Sequence, residues 1–213
     1  MKTLLIILLI TITEIVMPQN YDFEQYLYQS YERYKEKALT HRRFKYSDII
    51  PLINNLKNKS GFKVKIVGKS VEGRGLNLIT IGKGKTKIFM WSQMHGDEPT
   101  ATAALFDIFN FINDPVNKDF CNSLFNKVTL YFLPMVNPDG AEKFKGRNFY
   151  DIDLNRDAVS QQTPEAIVLK DVFDSLKADF GFNLHDQGHR YSVGNSFRTA
   201  SISFLAPAYN YPK

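Results

Sequence analysis

The spacing of apolar residues changes several times along the chain, and each change predicts a different element. Residues 21–39 and 47–58 are amphipathic and predict two helices, the second capped by Ser47. Residues 62–67 alternate between apolar and polar side chains, as a half-exposed strand does. Short continuous apolar runs further on are typical of buried strands, and helical periods separate them. The predicted strands are 76–81, 88–91, 128–136, 180–184 and 202–206, and the predicted helices are 98–112 and 164–176.

Strands that alternate with helices predict an α/β fold with a mixed, largely parallel central sheet flanked by helices. Polar residues lie just beyond three of the predicted strands, namely His95, Asn137 and His185. Functional groups of α/β sheets gather at the carboxyl ends of strands, so we expect these three segments to converge on one edge. Residues 137–162 lack periodicity and predict a long loop, which in a compact domain is usually functional.

The N-terminus predicts export from the cytoplasm. Lys2 precedes an apolar run over residues 4–12, which is shorter than the roughly 20 apolar residues that span a bilayer. A charged start and a short apolar centre are typical of a secretory signal. We therefore expect a signal peptide at 1–18, a single domain at 19–213, and a secreted or periplasmic protein. A buried strand or helix is the alternative interpretation of residues 4–12.

Composition supports a packed core and argues against some partners. The chain of 213 residues is 44% hydrophobic and has 17 Phe and 11 Tyr, which indicates a folded domain. The net charge of +5 comes from scattered basic residues without a long basic run, so we expect no nucleic-acid partner. The single cysteine, Cys121, excludes an internal disulfide. We expect a monomer.

Two short motifs offer metal ligands. His95 and Glu98 are separated by two residues, and His185 follows the strand predicted at 180–184. A site of two histidines and one glutamate, built from a short pair and a distant residue, is used by zinc hydrolases. Each motif alone is weak, because H-x-x-E also occurs in solvated loops and a lone histidine after a strand is more often structural.

Five motifs in order resemble the zinc carboxypeptidases of the carboxypeptidase A type. The likeness covers about residues 40–206. The motifs are V-G-K-S-V-E-G-R-G-L at 67–76, H-G-D-E at 95–98, N-P-D-G at 137–140, D-L-N-R at 153–156 and F-N-L-H at 182–185.

The resemblance implies a metal site with one Zn²⁺ per chain. His95, Glu98 and His185 would be its ligands. Asp153 would accept the other ring N–H of His95 and fix its tautomer, as carboxylates behind metal ligands commonly do. Asp186 follows His185, and because neighbouring side chains of a strand point opposite ways, we expect it not to bind the metal.

The resemblance also implies residues that bind the substrate. Asn155 and Arg156 would hold the terminal carboxylate of a peptide, a task that suits the planar guanidinium. Arg147 would polarise the scissile carbonyl, although its distance from the Asn-Arg pair differs from the family pattern. The alternative for Asp153 and Arg156 is a salt bridge that only orders the loop.

The implied activity is hydrolysis of the C-terminal peptide bond of a peptide by a zinc-activated water. In the family, a glutamate that follows the third ligand takes the proton of this water. Residues 187–213 contain no Asp or Glu, so we expect the sequence to be truncated at the C-terminus and inactive by itself. Two alternatives are a non-catalytic module that binds zinc and carboxylates, and a deacylase of N-acyl amino acids. The signal-like start and the N-P-D-G loop argue against the deacylase.

Overall fold

The computed structural model describes residues 23–187 and 192–198. The chain divides into two compact units, with the boundary between Lys35 and Glu36. The described part of the first unit is helix α1 (Phe23–Tyr34), which confirms a helix within residues 21–39. The signal predicted at 1–18 and the strand predicted at 202–206 lie outside the described residues.

The second unit alternates strands with helices, as the sequence predicted. Its strands are β1 (Lys63–Lys69), β2 (Gly75–Gly82), β3 (Thr86–Ser92), β4 (Val128–Leu133) and β5 (Phe180–Leu184). Its α-helices are α2 (Tyr46–Leu56), α3 (Thr100–Asn113), α4 (Lys118–Phe125), α5 (Pro138–Lys143), α6 (Leu154–Ser160) and α7 (Pro164–Leu176). Its 3₁₀ turns are Lys37–Leu39 and Pro115–Asn117. Across residues 23–187 and 192–198, helices are too short or too polar to cross a membrane.

The five strands form one mixed sheet in the order β1-β2-β4-β3-β5. The pairs β1/β2 and β2/β4 are antiparallel, whereas β3 pairs in parallel with both β4 and β5. Parallel neighbours need long crossover connections, and α3 and α4 provide the one between β3 and β4. The connection from β4 to β5, which contains α5 to α7, passes β3 and places β5 at the far side of β3. The predicted α/β fold with a mixed sheet is confirmed, and its parallel part is the half formed by β4, β3 and β5.

Apolar clusters cover both faces of the sheet at its middle strands, whereas β5 at the edge is largely exposed. Phe132 and Leu133 are consecutive, fully buried residues of β4, so their side chains enter opposite faces. Phe132 packs edge-on against Phe109 of α3, with ring centroids 5.0 Å apart. Leu133 belongs to a second cluster that includes Leu154 of α6 and Leu169 of α7.

The structure corrects two predictions about local elements. Residues 137–162 are not one loop, because they contain the short helices α5 and α6. Both begin at a capping side chain: Asn137 accepts a hydrogen bond from the Gly140 N–H, and Asp153 accepts one from the Asn155 N–H. Helix α2 begins at Tyr46 and is not capped by Ser47, and the Asp48 carboxylate accepts from the Lys45 N–H at 2.7 Å.

Candidate metal centre

The candidate site lies at the carboxyl ends of the three parallel strands. Trp91 of β3 pairs with Leu133 of β4, and Ser92 pairs with Leu184 of β5, so the three strands end side by side. The segments that follow them carry His95, Asn137 and His185. The predicted convergence of three polar segments on one edge is therefore confirmed.

Two histidine rings meet the carboxylate of Glu98. The Nδ1 atom of His95 lies 3.0 Å from Oε1 of Glu98, and the Nδ1 atom of His185 lies 2.7 Å from Oε2. Taken over all three residues, the possible ligand atoms lie within 4.8 Å of one another. Between 22% and 28% of each side chain is exposed, so the group is sheltered but reachable from solvent.

The donor set and its spacing fit a zinc ion. Nitrogen and oxygen ligands about 2.1 Å from a tetrahedral zinc are about 3.4 Å apart. The two contacts of Glu98 are shorter than this and the three ligand atoms lie within 4.8 Å of one another, so small side-chain movements would bring them around one ion. Two histidines and one glutamate are also a donor set that leaves a fourth position for water or substrate.

Asp153 contacts the other nitrogen of the His95 ring. Its Oδ1 atom is 3.2 Å from Nε2 of His95 and also accepts from the Asn155 N–H at 2.9 Å. The structure thus brings Asp153 to His95, which is the contact expected from the sequence. With Nε2 engaged by a carboxylate, the ring presents Nδ1 to Glu98.

The charged side chains of the centre stabilise one another. The hydrogen bond to Glu98 is the main cause that raises the pKa of His95 to about 9. Burial acts to raise the pKa of Glu98, but hydrogen bonds to His185 and His95 outweigh it and lower this pKa to about 2. The pKa of Asp153 is also lowered, because its hydrogen bonds to His95 and to the Asn155 N–H outweigh the effect of burial. Both carboxylates are therefore ionised near neutral pH and suit a cation.

The two arginines predicted to bind substrate share a cleft beside the centre. The cleft has a volume of about 380 Å³, and its walls include Arg147, Asp153 and Arg156. Arg147 donates to the Asp151 carbonyl at 2.8 Å, and 59% of its side chain is exposed. The walls of the cleft do not include Asn155, whose Oδ1 accepts from Asn183 of β5 at 3.3 Å.

Two contacts bear on the alternatives posed by the sequence. Within residues 23–187, Asp153 and Arg156 form no side-chain ion pair, so a salt bridge between them does not order this loop. Asp186 lies outside the group of His95, Glu98 and His185, and its carboxylate accepts hydrogen bonds from Thr100.

Sequence reasoning did not identify Asn137 as a support of the centre. Its side chain is fully buried and donates to the Met94 carbonyl at 3.2 Å and to the Gly146 carbonyl at 3.1 Å. It therefore ties the segment that precedes His95 to the segment that precedes Arg147. The motif N-P-D-G contained the signal, since Asn before Pro is a good helix start whose amide remains free for further bonds.

The sequence patterns also did not reveal the roles of two buried carboxylates, Asp139 and Glu165, which bond to the turn after β1. Asp139 accepts from the Ser70 hydroxyl at 2.7 Å, from the Glu72 N–H at 2.9 Å and from the Arg74 guanidinium. Glu165 accepts from the Val71 N–H and the Asn148 side chain, and burial raises its pKa. These bonds attach the turn after β1 to the loop that carries the candidate site.

The fold and the His-Glu-His group define an α/β protein with a metal site at the edge of its sheet. Residues 49–166 match the family model described as Zinc carboxypeptidase. This match covers more than half of the chain, and the chain belongs to the zinc carboxypeptidase family.

Curated proteins similar to this chain include carboxypeptidases. Carboxypeptidase E of Caenorhabditis elegans is 30% identical over 168 residues, which cover 67% of this chain and 35% of the relative. Carboxypeptidase SOL1 of Arabidopsis thaliana is 35% identical over 105 residues, which cover 46% of this chain and 21% of the relative. The chain thus spans well under two thirds of the length of these curated relatives.

Solved structures share the fold. The carboxypeptidase A of Helicoverpa armigera matches 84% of this chain and 56% of its own length, with a TM-score of 0.59 at 21% identity. A metallo-carboxypeptidase of Pseudomonas aeruginosa, in complex with (2-guanidinoethylmercapto)succinic acid, matches 66% of this chain and 39% of its own length. Its TM-score is 0.57 at 22% identity.

Replacing Gly96 by alanine should disturb the centre, because a Cβ atom at this position would meet backbone. It would lie 2.1 Å from the Gly140 carbonyl carbon and 2.3 Å from the Ala141 nitrogen, which cannot turn away as a side chain can. We expect Gly96→Ala to lower the free energy of unfolding by about 1–3 kcal/mol, measured by urea titration. The control Gly181→Ala places its Cβ 3.4 Å from side-chain atoms and should change stability little. Equal stability of the two variants would contradict the close approach.

Proposed function

We propose that this chain carries the metal- and carboxylate-binding site of a zinc-dependent metallocarboxypeptidase, which hydrolyses the C-terminal peptide bond of peptides. The proposal is based on the contacts among three histidine and carboxylate side chains and Asp153. The Nδ1 atoms of His95 and His185 face the two oxygens of Glu98, while Asp153 contacts the far side of the His95 ring. Membership of the zinc carboxypeptidase family supports it.

His95, Glu98 and His185 are the proposed ligands of one zinc ion. When bound at such a site, zinc lowers the pKa of a water molecule and polarises a carbonyl oxygen. Asp153 keeps the His95 ring in the tautomer and orientation that present Nδ1, since its carboxylate holds Nε2. Three protein ligands leave a fourth position on zinc for water or substrate.

Arg156, with Asn155, is proposed to bind the terminal carboxylate of the peptide, and Arg147 to polarise the scissile carbonyl. A guanidinium can donate two parallel hydrogen bonds to a carboxylate. Both arginines line the cleft beside Asp153, and both are exposed enough to reach a ligand. The Pseudomonas aeruginosa relative was solved with a succinic acid derivative, whose carboxyl groups suit such a site.

Hydrolysis needs a group that takes a proton from water, whereas binding of metal and peptide does not. Glu98 and Asp153 are both engaged by histidines, so neither is free to take a proton from water. We therefore expect the site formed by the described residues to bind metal and carboxylate-ended peptides while hydrolysing them slowly or not at all. A secreted or periplasmic location and a monomeric state, together with the signal at 1–18, remain part of the proposal.

Zinc binding tests the metal assignment. We expect one zinc per chain in the unmodified protein and none in His95→Ala or His185→Ala, because each change removes one of three ligands. Native mass spectrometry after exhaustive dialysis measures the stoichiometry directly. The control is His41→Ala, since His41 is a largely exposed histidine 4.0 Å from Asp48. Zinc retained in both ligand variants would contradict the assignment.

Peptide binding tests the role of Arg156. We expect Arg156→Ala to keep one zinc per chain and to weaken binding of a peptide with a free C-terminal carboxylate at least tenfold, as the loss of a charged hydrogen bond should. Isothermal titration measures the affinity, and the same peptide with an amidated C-terminus serves as the control. If Arg156→Ala weakened both peptides equally, the carboxylate role would be wrong.

A further inference from the structure

Asp186 joins the strand end that carries His185 to the helix that follows Glu98. Its Oδ1 accepts from the Thr100 backbone N–H at 3.0 Å, and its Oδ2 accepts from the Thr100 hydroxyl at 2.9 Å. Thr100 is the first residue of α3 and lies two positions after Glu98. The two segments that hold the candidate ligands are therefore bonded to each other through one carboxylate.

The start of α3 depends on this carboxylate for a capping contact. Pro99 occupies the position before the helix and provides no side-chain hydrogen bond to it. The first N–H groups of a helix have no partner within the helix, and its N-terminus favours a negative charge. Asp186, which lies 86 residues further along the chain, supplies both a hydrogen-bond acceptor for the first N–H group and a negative charge at the N-terminus of α3. Arg42 stabilises the same carboxylate at 3.6 Å, and only 11% of the Asp186 side chain is exposed.

The backbone of the same residue also contacts the metal group. The Asp186 N–H donates to Oε2 of Glu98 at 3.4 Å, which is the oxygen that His185 faces. Neighbouring side chains of an extended segment point opposite ways, so His185 turns to Glu98 while Asp186 turns to Thr100. Residue 186 thus has bonds to Glu98 and to Thr100, on either side of Pro99.

We propose that Asp186 is a positioning residue, which clamps the His185 segment to the start of α3 and so sets the distance between the third ligand and the first two. This inference rests on the proposed zinc site. It differs from a general stabilising role, because loss of the clamp should change the geometry of the metal site and not only the free energy of unfolding.

The test uses cobalt(II), whose visible absorption spectrum reports the coordination geometry. We expect Asp186→Ala and Thr100→Val each to weaken cobalt binding about 10–100-fold, the range for partners behind metal ligands, and to shift the cobalt absorption bands. Thr100→Ser keeps the hydroxyl and should behave as the unmodified protein. The double variant Asp186→Ala/Thr100→Val should bind cobalt no more weakly than the weaker-binding single variant, because Asp186 and Thr100 act through the same contact. Additive losses, or unaltered spectra in both single variants, would overturn the clamp.

A matched control exists at the other end of β5. The carboxylate of Asp179 accepts from the Lys87 backbone N–H at 2.8 Å and so ties β5 to β3 away from the metal group. We expect Asp179→Ala to lower the thermal midpoint but to leave cobalt affinity and spectrum unchanged. If Asp186→Ala changes the metal site no more than Asp179→Ala does, the positioning role is wrong. Thr100→Val, which keeps the carboxylate, decides the question if Asp186→Ala does not fold.

A measurement on the metal-free protein separates this inference from the proposed function. The imidazole ¹⁵N resonances of His185 should move in Asp186→Ala and stay in place in Asp179→Ala, because only the first bond positions this ring. If the unmodified protein bound no cobalt, the zinc assignment would fail while these resonances would still test the clamp. Resonances unchanged in Asp186→Ala would overturn the clamp whatever the metal result.

Discussion

Parallel pairing of β3 with β4 and with β5 is the constraint on which the site depends. It aligns three strand ends, so that residues from positions 95, 137 and 185 emerge at one edge of the sheet. Apolar clusters on both faces hold the strands in this register. A shift of register by one residue would reverse the side chains of the shifted strand, so the buried residues of β3 and β4 fix the position of His95, whereas β5 is largely exposed and its pairing with β3 places His185.

Buried polar groups then fix the loops beyond the strand ends. Asn137, Asp139 and Glu165 are at most 1% exposed, and each one bonds to a different segment of the chain. A buried polar group without a partner costs about 1–3 kcal/mol, so each of these bonds strongly favours the observed arrangement of the loops. Gly96 completes the arrangement, because only a residue without a Cβ atom permits the approach to Gly140.

The sequence predicted the parts of the molecule that depend on local patterns or on a motif. The strands followed from apolar runs and from one alternating stretch, and α7 followed from the helical period of residues 164–176. The group of His95, Glu98 and His185 followed from their spacing and the family resemblance. Helices α5 and α6 were missed because six or seven residues are too few for an apolar period. The contact of Asp186 with Thr100 joins residues 86 positions apart, and no local pattern contains it.

We propose that His95, Glu98 and His185 hold one zinc ion through atoms that already face one another. Anomalous diffraction at the zinc absorption edge, from crystals of the chain grown with zinc, locates such an ion. We expect one strong peak, about 2.0–2.2 Å from Nδ1 of both histidines and from a Glu98 carboxylate oxygen. A peak bound by Nε2 of His95, or located away from these three residues, would contradict it.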